Sequence, residues 1–176
     1  MPIIRNGTTN TNKTALLRSR LIHELREPAV RGFPLVLENQ IGQTRKYHVT
    51  IIWDEWGDLP LQTRSRIILD AYEEVFPDKT GRISIAQGLT MSEAISLGLF
   101  PYKVIALPTR VEESFLRDRV VDALKRRGAI RGQYDLELRY RTVEEAELAR
   151  AELQKEIPGD FWTIVQEMAP EVWTTT

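Results

Sequence analysis

The chain has 176 residues, 42% of them apolar and 28% charged, with a net charge of −1 and a sequence pI near 6.2. It is long enough to bury a core without disulfides or metals and too near neutral to exert a global pull on nucleic acid or an anionic membrane. With no cysteine and two histidines, disulfides, thiolate zinc sites, cysteine-ligated clusters and cysteine nucleophiles are excluded.

Residues 1–11, polar and rich in Thr and Asn, are expected to form a flexible arm without the apolar core of a signal peptide. No run approaches the ~18 consecutive apolar residues of a membrane helix. A cytoplasmic location is therefore expected, in keeping with the lack of cysteine. Helical spacing of Leu16, Leu17, Leu21, Ile22 and Leu25 predicts a helix over 13–27, capped by Thr11 or Asn12 and ended by Pro28. Strands follow over 33–38 and 46–54, joined by a hairpin-like turn at Gly42. Tyr47, Val49, Ile51 and Trp53 are expected on one face, and His48, Thr50 and Ile52 on the other.

A turn built on Gly57, Asp58 and Pro60 leads to the cleanest helical pattern, over 62–76. There Ile67, Ile68, Ala71, Tyr72, Val75 and Phe76 form an apolar stripe opposite Arg66, Asp70, Glu73 and Glu74. A third strand over 82–86 precedes a short helix opened by a Thr90–Glu93 capping box and closed by Gly98. Beyond it the order reads β-α-β-α-β. A strand over 102–107 comes first, then a helix over 111–127 with Phe115, Leu116, Val120, Ala123 and Leu124 inward and Gly128 ending it in the left-handed conformation. A half-exposed strand over 134–140 turns Asp135, Glu137 and Arg139 to solvent. A helix capped by Thr142 and Glu145 and a strand over 161–165 complete the series. The boundary between the two halves is expected near 98–103, without a flexible linker.

The first half resembles a BolA-like domain of the KH-like α+β group, by its order helix, strand, strand, helix, strand, helix over 13–98. Its stretch KYHVTIIWDEWGDLPLQTRSRIILDAYEEV is similar to that family's valine-rich strand, turn and Arg-His-Arg entry into an apolar helix, with Leu59 to Arg66 as the matching piece. Farther on, ISIAQGLTMSEA is similar to its last strand and helix start. The resemblance implies a glutaredoxin-type partner and histidines that share an iron–sulfur cluster. This chain has Ser65 in place of the turn histidine and no histidine after His48, with Arg82 nearest the missing ligand. Hard oxygen ligands suit such a cluster poorly, so a cluster-free relative is expected, with no cofactor and no metal.

Other constellations are weaker. Asp54, Glu55 and Asp58 supply too few convergent oxygens for a tight cation site, and a solvated loop is expected. His48 and His23 have no partner in sequence for acid–base work. Phosphate-binding glycine loops and a serine triad with informative spacing are missing. In WDEW, Trp53 is expected to fill the core and Trp56 to face a partner. Residues 110–141 hold nine Lys/Arg against six Asp/Glu, centred on Lys125, Arg126, Arg127 and Arg131, which would serve as phosphate contacts. Opposition to the helix dipole is the simpler role for that cluster, and the spacing of Gly128 and Gly132 misses the Gly-x-x-Gly of nucleic-acid-binding KH loops by one residue.

The expectation is an α+β protein: an arm over 1–11, a BolA/KH-like module over 12–98, a ferredoxin-like β-α-β-α-β module over 101–166 and a tail over 167–176. The expected function is non-enzymatic binding or adaptor work through protein contacts, with Trp56, Arg64 and Arg66 as partner residues, since aromatic and arginine side chains carry most hot spots. Single-stranded nucleic-acid binding by Lys125, Arg126, Arg127 and Arg131 is the alternative. An enzyme built on Asp54 and Asp58 would require those carboxylates to converge.

Overall fold

A computed structural model describes residues 8–28, 33–107 and 114–167 of the chain. Its order is α1 (Thr8–Arg26), β1 (Leu35–Gln40), β2 (Tyr47–Ile52), a single 3-10 turn (Asp54–Trp56), α2 (Leu61–Val75), α3 (Pro77–Thr80), β3 (Ile83–Leu89) and α4 (Met91–Ser96). Then come β4 (Tyr102–Ala106), α5 (Ser114–Arg126), β5 (Ile130–Gly132), β6 (Asp135–Tyr140), α6 (Val143–Glu156) and β7 (Trp162–Gln166). The class is α+β, and the chain divides into two units, Met1–Glu93 and Ala94–Thr176. The division falls inside α4, a few residues before the expected boundary.

In the first unit, β1 pairs antiparallel with β2, and β2 pairs parallel with β3. The parallel pair needs a crossover, and α2 supplies it. Leu17, Leu21 and Leu25 recur every fourth residue on α1 and bury with Ile22 against Ile67, Ile68, Ala71 and Tyr72 of α2 and Val49 and Ile51 of β2. Each such aliphatic side chain contributes about 1.5–3 kcal/mol by leaving water. Leu16 falls off that stripe and is exposed. The first helix begins at Thr8, so Thr11 and Asn12 lie within it instead of capping it. Residues 1–7 of the expected arm, 111–113 of the expected helix start, the side chain of Phe115 and residues 168–176 of the tail lie outside the described residues.

In the second unit the sheet order is β5-β6-β4-β7, with every neighbouring pair antiparallel. Val120, Ala123 and Leu124 of α5 and Ala146, Ala149 and Leu153 of α6 pack with Val104 and Leu138 of the sheet. The series has one strand more than expected: β5, three residues long, forms a tight hairpin with β6 in which Gly132 faces Asp135.

Helix ends follow their local chemistry. Gly98 and Gly128 have φ of +71° and +79°, and each closes its helix with the paired bonds of a Schellman cap; at Gly128, its own N–H reaches Lys125 O at 3.0 Å and Ala129 N–H reaches Leu124 O at 3.0 Å. Thr90 and Glu93 form the full capping box: Glu93 N donates to Thr90 Oγ1 at 3.2 Å and Thr90 N to Glu93 Oε2 at 2.8 Å. At Thr142 only half of the box forms, because the Glu145 carboxylate accepts from Arg141 N at 3.2 Å instead.

Candidate functional site

The segment from Trp53 to Arg66 is where the sequence places its partner residues, and it is built from the inside. The 3-10 turn swings the Trp56 indole inward, against Trp53 at 5.4 Å and 78°. Trp56 Nε1 donates to Ile51 O at 3.0 Å, and the residue is 0% exposed. The expectation of a surface Trp56 is therefore corrected: a ring whose one polar atom is satisfied by β2 belongs to the core.

Arg64 is also interior, at 4% exposure. Its Nε donates to Leu59 O at 2.7 Å, Nη1 to Gly88 O at 3.1 Å and to Glu93 Oε2 at 2.5 Å, and Nη2 to Gly57 O at 2.9 Å and to Glu93 Oε1 at 3.3 Å. A guanidinium has five N–H donors, and all five are used. Arg64 is a clamp that ties the turn, the start of α2 and the end of β3 together, with nothing left for a partner. The clamp holds the Glu93 carboxyl below its ordinary range, chiefly through the Arg64 hydrogen bond. Gly88 makes room for this: a Cβ there would stand 2.8 Å from Arg64 Cβ and 2.9 Å from a Trp56 ring carbon.

What the turn leaves outside is Leu61, 55% exposed, and Arg66, also exposed. Ser65, where the resemblance expects a histidine, donates through Oγ to Ala86 O at 2.6 Å and to Leu61 O at 3.0 Å. Of the three carboxylates nearby, Asp54 accepts from Met91 N at 2.8 Å, Glu55 pairs with Arg20 at 3.4 Å and Asp58 is exposed. They do not converge, and no group of three or more His, Asp or Glu side chains among the described residues is placed to hold a metal ion. His48 Nε2 is buried with no hydrogen-bond partner among the described residues; His23 is exposed on α1. It lines a shallow groove of about 680 Å³ in which Arg18 and Arg26 both reach Glu74, at 3.5 and 3.3 Å.

The basic cluster is brought together at the end of α5 and on β5, but half of it is neutralised. Arg126 pairs with Glu156, and Arg127 with Glu152 and Glu156 at 3.3 and 3.1 Å, across to α6. Arg126 is the main cause of the lowered Glu156 pKa. Lys125 and Arg131 remain exposed.

Sequence reasoning missed a second charged group. Glu137, expected to face solvent, is 0% exposed, and Lys103 only 3%. Lys103 Nζ lies 3.7 Å from Glu137 Oε1 and 3.3 Å from Glu167 Oε1, while Arg139 pairs with Glu167. Arg139 Nη2 approaches Glu137 Oε2 at 3.0 Å without the alignment of a hydrogen bond, leaving that oxygen unbonded. Gly132 makes the space, since a Cβ there would fall 2.2 Å from the Glu137 carboxyl carbon. The legible signal was a lysine inside the apolar strand YKVIA. Strict alternation in β6 assigns its polar residues to one face but does not say whether that face is wet.

No helix of the described residues is long and apolar enough to cross a membrane. Comparison with protein-family models, with curated proteins and with solved structures finds no match to the chain.

Proposed function

We propose that the chain is a non-enzymatic binding protein that works through protein contacts, with the segment Gly57 to Arg66 as its contact surface and Leu61 and Arg66 as the residues a partner meets. The observation that supports this is the Arg64 clamp. Five hydrogen bonds from one buried side chain hold the turn in a single shape, and a contact surface fixed in advance loses little conformational freedom on binding. An exposed leucine and an exposed arginine in the first turns of α2 offer the apolar area and directional charge that protein contacts favour. In this reading the first unit is BolA/KH-like and free of any cluster, since Ser65 stands in place of the turn histidine and its hydroxyl is spent on Ala86. The second unit, β-α-β-β-α-β in order with split connections, is ferredoxin-like.

The test is capture of tagged protein with its partners from nuclease-treated native lysate. Leu61→Asp/Arg66→Glu is expected to lose a partner that wild type and Lys125→Glu/Arg131→Glu retain. Nuclease-sensitive recovery lost only with the second variant would overturn the reading in favour of nucleic acid.

A further inference from the structure

The two outer edges of the three-stranded sheet are treated differently. On β3, the Ala86 and Gly88 carbonyls point away from β2 and are taken by Ser65 Oγ at 2.6 Å and Arg64 Nη1 at 3.1 Å. A strand arriving there would have to break both. On β1, the backbone groups of Leu35–Gln40 make no hydrogen bond among the described residues beyond their pairing with β2. Within its six residues, LVLENQ, β1 has no lysine, proline or bulge, three of the devices that blunt an edge, and its register with β2 is unbroken; Pro34 stands just before it. Its one charge, Glu38, is already engaged by Lys79 and by Tyr72 Oη at 2.6 Å.

We infer that β1 is a docking edge that takes an extended segment of a partner protein by strand addition, which rests on the protein-contact reading above and names the form of its partner. The surroundings fix the chemistry of that segment. Leu35 and Leu37 share the face of β1 opposite Val36 and Glu38, so the incoming strand carries apolar side chains at alternate positions along that end. At the other end, past Gln40, Arg45 and Lys46 are exposed at the hairpin, and neither has an ion pair among the described residues. The segment is therefore acidic where it passes them. Six residues give an edge of about 20 Å, too short by itself for the ~1,200 Å² of a stable dimer. That favours a peptide segment over a second copy of the chain.

The test uses the full-length, ¹⁵N-labelled protein and an end-blocked hexapeptide, two glutamates followed by alternating threonine and valine, which in the antiparallel direction sets its acids toward Arg45 and Lys46 and its valines opposite Leu37 and Leu35. The expected result is saturable binding with slowed amide exchange confined to Leu35–Gln40. Arg45→Glu/Lys46→Glu should weaken binding about tenfold, as two exposed charge contacts allow, and N-methylation of alternate peptide amides should abolish it. No saturable binding, insensitivity to N-methylation, or protection mapped to another element would each overturn the inference. The titration reads β1 alone. A blank titration with partner capture through Leu61 and Arg66 intact ends strand addition but leaves the protein-contact reading standing; binding at β1 with no partner captured through those two residues ends the reading of that surface.

Discussion

Arg64 grips Glu93 with two prongs across 29 residues of sequence, Nη1 to Oε2 at 2.5 Å and Nη2 to Oε1 at 3.3 Å. The same carboxylate accepts the Thr90 N–H at the head of α4. One ion pair thus joins the start of α2 to the cap of the helix after β3, and the contact turn hangs between them.

Removing the clamp strands the carbonyls of Gly57, Leu59 and Gly88 and leaves Glu93 without its cation. Arg64→Ala is expected to destabilise the first unit by about 3–5 kcal/mol, the range for breaking a buried charge network. Arg64→Lys should recover little of this, since an ammonium has three donors and no planar fork. Chemical denaturation checks both. An unchanged midpoint for Arg64→Ala would show that the clamp is not structural.

Gly88→Ala tests the close packing beneath the clamp. The added methyl has to move either Arg64 or the Trp56 ring, and overpacking of that kind costs about 1–3 kcal/mol. Trp56 emission should change with it, because the indole N–H bond to Ile51 O is at stake.

Acid should release the same pair. The folded Glu93 pKa lies below the ordinary value of 4.5, so its contribution is fully present above that value and is lost as pH falls through the folded pKa. Glu93→Gln is expected to flatten the acid limb of the stability profile below about pH 4.5 while lowering stability at neutral pH. A variant profile parallel to wild type across that window would contradict the pairing.

Much of the frame was legible because its causes are local. The α2 stripe, the Thr90–Glu93 box and the glycines at 98 and 128 each act within a few residues, and the structure shows them, save that Phe76, expected on the stripe, lies past the end of α2 and is exposed. What was not legible depends on distant groups. Arg64 looks like its neighbour Arg66 in sequence, and only Gly88 and Glu93, 24 and 29 residues away, make it interior. Trp56 is turned inward by one 3-10 turn that no periodicity announces. Strand β5 is too short to show alternation. Glu137 obeys the alternation of β6, yet the polar face it marks is buried.

That buried group gives a prediction for the second unit. Glu137→Ala leaves the Lys103 ammonium facing only Glu167 and should cost about 3–5 kcal/mol. Lys103→Met/Glu137→Met, which removes both charges and keeps volume, should recover most of the loss. Thermal melts of the two variants decide it, and a double variant no more stable than Glu137→Ala would show that packing, not charge, sets the cost.

The most direct test of the contact surface is a photo-crosslinking amino acid installed singly at position 61, 66, 125 or 131, followed by irradiation in living cells and identification of the adducts. Positions 61 and 66 are expected to trap one common protein, with 125 and 131 giving none. Adducts to nucleic acid from 125 and 131, with 61 and 66 blank, would contradict the account.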